Sequence, residues 1–115
     1  MMYPYLTLGD GTEVVHSELL DDNQGKRVIV HGYRIYFWSN ELGEPIHVHI
    51  AKGNPSRNAT KVWLTKAGGC VLAHNDGRIP SRDLRELMDI VSANHARIAD
   101  AWCRFFHLDS PSYIC

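Results

Sequence analysis

His47 and His49 stand one residue apart in the run Ile46-His47-Val48-His49-Ile50. Alternation of histidine with aliphatic residues predicts a β-strand, in which residues i and i+2 share a face. Both imidazoles then border one patch, while Ile46, Val48 and Ile50 project the other way. Two same-face imidazoles suit two kinds of chemistry. They can ligate one transition metal, or they can serve as acid and base in proton transfer near neutral pH. In a ribonuclease of the second kind, Arg34 or Lys61 would steady phosphate charge. Two ligands do not complete a metal site, and further donors would have to come from His16, His31, Glu41, His74, Asp76 or His95, whose convergence the spacing leaves open. The commoner role of an isolated His-x-His is plainer. The imidazoles hydrogen-bond to Ser39, Asn40 or Glu41, or pack on Tyr36 and Trp38. No cofactor is therefore expected, a transition metal at His47 and His49 being the alternative.

The neighbouring elements must position these histidines. Tyr33, Ile35 and Phe37 alternate with Arg34, Tyr36 and Trp38, which predicts a strand with one apolar and one aromatic, partly polar face. Residues 39–45 read as a turn, and residues 46–51 as the hairpin partner of that strand. Residues 61–64 predict another strand, residues 66–69 a turn, and the apolar run 70–74 a short buried strand. Ahead of the hairpin, Gly9-Asp10-Gly11 between β-rich runs predicts a hairpin within residues 1–29, and residues 26–31 a further strand. From Ser81 the period changes to near 3.6, and Leu84, Leu87, Met88, Val91, Ile98, Trp102 and Phe105 follow one face of a single long helix with Ser81 as its N-cap. His95 falls inside that apolar stripe and Asn94 at its edge, which points to buried hydrogen bonds fixing the helix to the sheet, with reach into a cleft beside the helix as the alternative. Residues 109–115 read as a tail that frays.

Across residues 30–108 these features form a recognisable set: Tyr33, Arg34, Ile35, Phe37, Ser39, Asn40, Glu41, Pro45, His47, Val48 and His49, then Trp63, Leu64, Leu72, Ala73, Leu84, Leu87, Asn94 and Trp102. The set resembles a bacterial family catalogued as domain of unknown function 4160. The resemblance implies no established reaction. It implies a genomic companion, domain of unknown function 2442, and hence a toxin–antitoxin-like pairing.

With 115 residues, 44% hydrophobic and 22% charged, the chain makes one domain with one core. A formal net charge of −1 argues against broad attraction to nucleic acid or acidic membranes. No apolar run is long enough to span a bilayer and the first eight residues lack a signal-peptide pattern, so a cytoplasmic protein is expected. Cys70, Cys103 and Cys115 include no C-x-x-C pair, in keeping with reduced thiols, and Cys70 reads as a packed small hydrophobe. The fold expected is α+β, a small antiparallel sheet against one long C-terminal helix. The leading functional expectation is a non-enzymatic, protein-binding component of a bacterial or mobile-element conflict system, such as a toxin–antitoxin partner or an anti-CRISPR. Its contact surface would use Arg34, Tyr36, Trp38, Asn40, Glu41, His47 and His49, or the N-terminal strands; a homodimer and single-stranded RNA binding on Tyr36, Trp38 and Trp63 stay open. The alternative is a small histidine-dependent RNase or metal-assisted hydrolase centred on His47 and His49.

Overall fold

The computed structural model describes residues 4–5, 33–38, 41–52 and 58–115. Its centre is an antiparallel meander of β2 (Tyr33–Trp38), β3 (His47–Lys52), β4 (Thr60–Leu64) and β5 (Cys70–His74). A two-residue strand β1 (Pro4–Tyr5) pairs with the outer edge of β2, Tyr5 opposite Phe37. The expected N-terminal hairpin and the strand at 26–31 otherwise lie outside the described residues. Register follows the period-two pattern: Tyr36 pairs with His49, and on the far side of β3 His49 pairs with Lys61 and His47 with Trp63. A register shift between Lys61 and Val62 marks an irregularity where β4 meets β5.

Two helices follow, α1 (Ser81–Ala93) and α2 (His95–Phe106), where the periodicity predicts one. The interruption has a local cause. Asn94 turns both its backbone N–H and its side-chain Nδ2 onto the Ile90 carbonyl, the second at 2.9 Å, so a polar side chain competes for a helical acceptor. The apolar stripe survives the break, and Leu87, Val91, Ile98, Trp102 and Phe106 are buried with Ile35, Phe37, Val48, Ile50, Val62 and Leu64 of the sheet. Trp102 lies 4.9 Å from Phe37 and 4.7 Å from Phe106 between ring centroids, edge to face in both cases.

Three further expectations are corrected. Pro80, not Ser81, occupies the N-cap of α1; its extended backbone ends there and its carbonyl accepts the Leu84 N–H, so Ser81 is already helical. Strand β5 is not buried and is, among the described residues, the edge of the sheet: Val71 and Leu72 are each 41% exposed. The tail is not frayed either. The Ile46 N–H donates to the Ser112 carbonyl at 2.8 Å, the Lys66 N–H to the Cys115 carbonyl at 2.9 Å, and Tyr113 stacks on His95 at 5.9 Å. His95 is fixed in turn by Nε2, 2.7 Å from the Thr65 carbonyl oxygen, which is the sheet-to-helix hydrogen bond expected of a polar residue in that stripe.

Candidate functional site

The turn between β2 and β3 is built to bring one carboxylate inward. Glu41 donates its backbone N–H to the Trp38 carbonyl at 3.3 Å, and the Trp38 N–H donates to Glu41 Oε1 at 2.7 Å, closing the turn from both sides. Gly43 follows with φ of 95°, a left-handed conformation that side-chain-bearing residues rarely adopt, and lets the chain reverse toward Pro45. The other carboxylate oxygen, Oε2, then faces β3. It lies 2.7 Å from His47 Nε2 and 2.8 Å from His49 Nε2.

Hydrogen-bond logic fixes the protons. The Pro45 carbonyl can only accept, and His47 Nδ1 lies 2.8 Å from it, so Nδ1 carries a hydrogen. An ionised Glu41 can also only accept, so each Nε2 that meets it carries one too. His47, protonated on both nitrogens, is then an imidazolium paired with a carboxylate, and His49 adds a third charge-assisted bond to Glu41. His47 has no exposed surface and Glu41 has 7%. Burial alone pushes the Glu41 carboxyl up, but the hydrogen bonds from His47 and His49 and the charge on both rings more than offset it and hold the group at about 2. Among the described residues no buried side-chain polar atom lacks a partner.

Aromatic rings enclose the group. His47 meets His49 at 4.9 Å, Trp63 at 5.4 Å and Trp102 at 5.4 Å, all edge to face. Tyr36, fully buried, lies 5.6 Å from His49, and Trp38 lies 6.3 Å from it. The contact with Trp102 is the element that spacing in the sequence could not supply, since it exists only once α2 docks.

Glu41, His47 and His49 form a group that could hold a metal ion. The ligand atoms of Glu41, His47 and His49 lie within 4.8 Å of one another. Bonds of roughly 2.0–2.1 Å in tetrahedral geometry would space such atoms about 3.4 Å apart, so Glu41 Oε2, at 2.7 and 2.8 Å from the two Nε2 atoms, would have to draw back from both rings. His47 also has the support typical of a metal-bound imidazole, with Nδ1–H on a backbone carbonyl and Nε2 turned to the ligand cluster.

Of the residues singled out from the sequence, Glu41, His47 and His49 converge, while Arg34 and Trp38 are half-buried on the same strand as Tyr36. Asn40, Ser39, His16 and His31 lie outside the described residues. His74 instead pairs with Asp76 at 3.4 Å, and His95 is committed to Thr65. Cys70 is packed as expected, its thiol donating to the Met88 carbonyl at 3.3 Å and its acidity suppressed chiefly by burial. No helix among the described residues is long and apolar enough to cross a membrane. Residues 32–103 match a family model described as Domain of unknown function (DUF4160). No curated protein and no solved structure matches the chain.

Proposed function

The chain belongs to the DUF4160 family, and we propose that its β2–β3 turn and β3 serve as a divalent transition-metal centre of a small metal-assisted hydrolase. Glu41, His47 and His49 are the protein ligands. The observation that carries this reading is the convergence of both Nε2 atoms on one Glu41 oxygen, with His47 Nδ1 anchored on Pro45. Two imidazoles and a carboxylate form the donor set favoured by zinc, iron and related ions, and three protein ligands leave a position for water. A metal there would acidify that water into a nucleophile. The test is chelator treatment followed by titration with zinc, manganese, iron(II) and nickel, read by calorimetry and elemental analysis. One ion per chain is expected, lost in Glu41→Ala and His49→Ala. A folded wild-type protein that takes up none of these ions rejects the reading.

A specific observation favours a second reading, that of a protein-binding component in a toxin–antitoxin-like pair. Among the described residues strand β5 is the last of the sheet, and Val71 and Leu72 on it are exposed. Natural edges are commonly blunted by charge or proline, and Cys70-Val71-Leu72-Ala73 carries neither, so a partner strand can add there. Under this reading Leu72→Lys abolishes co-purification with the companion protein while Glu41→Ala does not.

A further inference from the structure

We infer that the ligand of this centre is a phosphodiester of a single-stranded nucleic acid, held by Lys61 and Trp38 on either side of His49; the inference rests on the metal reading above. The sheet register supplies the juxtaposition. His49 pairs directly with Lys61 of β4 and with Tyr36 of β2, so these side chains share its face, and Trp38 and Trp63 are the diagonal neighbours on that face. Tyr36 and His47 are closed off, but Trp38, His49, Lys61 and Trp63 all keep part of their surface in solvent. The face is thus open at the margin of the triad, on the His49 side.

Each open residue has a chemistry that a nucleotide would use. The Lys61 ammonium lies 4.3 Å from the Trp63 ring centroid, which holds its stem along β4, the strand that pairs with the His47 and His49 positions of β3. Its acidic partner, Glu44, is distant at 3.7 Å and 45% exposed. Such a pair is weak in water, so a phosphate oxygen can replace it. Trp38 meets Tyr36 edge to face at 5.3 Å and stands 6.3 Å from His49, leaving a partly exposed indole within one nucleotide of the centre. A base stacks on that indole and Lys61 takes one phosphate oxygen, while a metal held by Glu41, His47 and His49 would supply the charge that a second oxygen meets. Because Lys61 already sits on Trp63, Trp38 is the stacking residue.

The overall charge of −1 adds a constraint. Binding that relies on Lys61 neutralising one phosphate has a shallow salt dependence, a slope of log K against log salt of roughly −0.7. A protein that tracked a long backbone would show a slope several times steeper.

The experiment measures anisotropy of a fluorescein-labelled eight-residue oligouridylate with the chelator-treated protein and with protein loaded with zinc or manganese, metal content being counted on the same samples. The loaded protein is expected to bind with the shallow slope, Lys61→Ala and Trp38→Leu each weakening binding by about tenfold at unchanged metal content. Loaded protein that ignores the oligonucleotide, or binds it equally well in both variants, overturns this inference and leaves the metal reading standing. Equal binding by metal-free and loaded protein overturns the assignment of the phosphate to the metal. Failure to load any metal fails the metal reading instead, and is seen in the metal count before any oligonucleotide is added.

Discussion

Replacing Glu41 by Gln isolates the electrostatic part of the triad, because the side chain keeps its length and shape. In the wild type the carboxylate accepts three hydrogen bonds, from the Trp38 N–H and from Nε2 of His47 and His49. The glutamine carbonyl can keep the first. Its NH2 then faces two imidazole nitrogens with two donor hydrogens, so His47 must give up its Nε2 proton and become neutral, and both contacts are remade only as neutral bonds. Hydrogen bonds to charged groups contribute about 1.5–3 kcal/mol each, and a remade neutral bond recovers about 1 kcal/mol. Removing one partner of a buried ion pair costs roughly 3–5 kcal/mol when the other stays charged. Since His47 can neutralise, the expected loss falls at the low end of that range or below it, at about 1–4 kcal/mol. Urea denaturation of chelator-treated protein at neutral pH is the assay, with a lower midpoint and unchanged slope as the expected result. A loss under about 0.5 kcal/mol, the level of an ordinary surface substitution, refutes the claim that this buried pair holds the turn to β3.

The same carboxylate sets a pH dependence. Its ordinary value is 4.5 and the fold holds it at about 2, so its stabilising contribution is complete above pH 4.5 and is lost as pH falls from there toward 2. Denaturation midpoints measured at pH 6 and pH 3 should fall more steeply for wild type than for Glu41→Gln; parallel falls would contradict the shift. Gly77→Ala should destabilise by about 1–3 kcal/mol, because the added Cβ would stand 2.8 Å from Thr60 Oγ1 and 3.1 Å from its backbone nitrogen, and the latter belongs to β4. A thermal melt indistinguishable from wild type would sink that account. Leu72→Lys, on the exposed edge, should shift stability by no more than about 0.5 kcal/mol, read by the same melts; a large loss would mean that β5 is covered.

Period-two alternation was enough to place β2 and β3 and to put His47 and His49 on one face, because strand geometry leaves no other outcome for residues two apart. What covers that face is a different question. Alternation of polar and apolar residues suggests an outer and an inner side, yet Tyr36 and His47 are as buried as Val48 and Ile50. The edge strand shows the converse. Cys70-Val71-Leu72-Ala73 has core composition but sits where the sheet ends, and composition carries no information about order in the sheet. The single helix failed at Asn94 for a local reason that an apolar stripe does not register, since the stripe continues through the break.

The site itself followed from a constraint that becomes visible only with burial. An imidazole with no exposed surface and an accepting carbonyl on Nδ1 cannot also face a carboxylate without becoming charged, and a charge at that depth requires a close counter-ion. Six donors were open as companions of the two histidines, and that requirement is met by Glu41, which the Trp38 N–H and Gly43 turn inward. The histidine–carboxylate contact therefore stabilises the metal-free fold with the atoms that a metal would bind. Under the metal reading, Glu41, His47 and His49 would thus be in place before an ion arrived, with the cost of ordering them already met by folding.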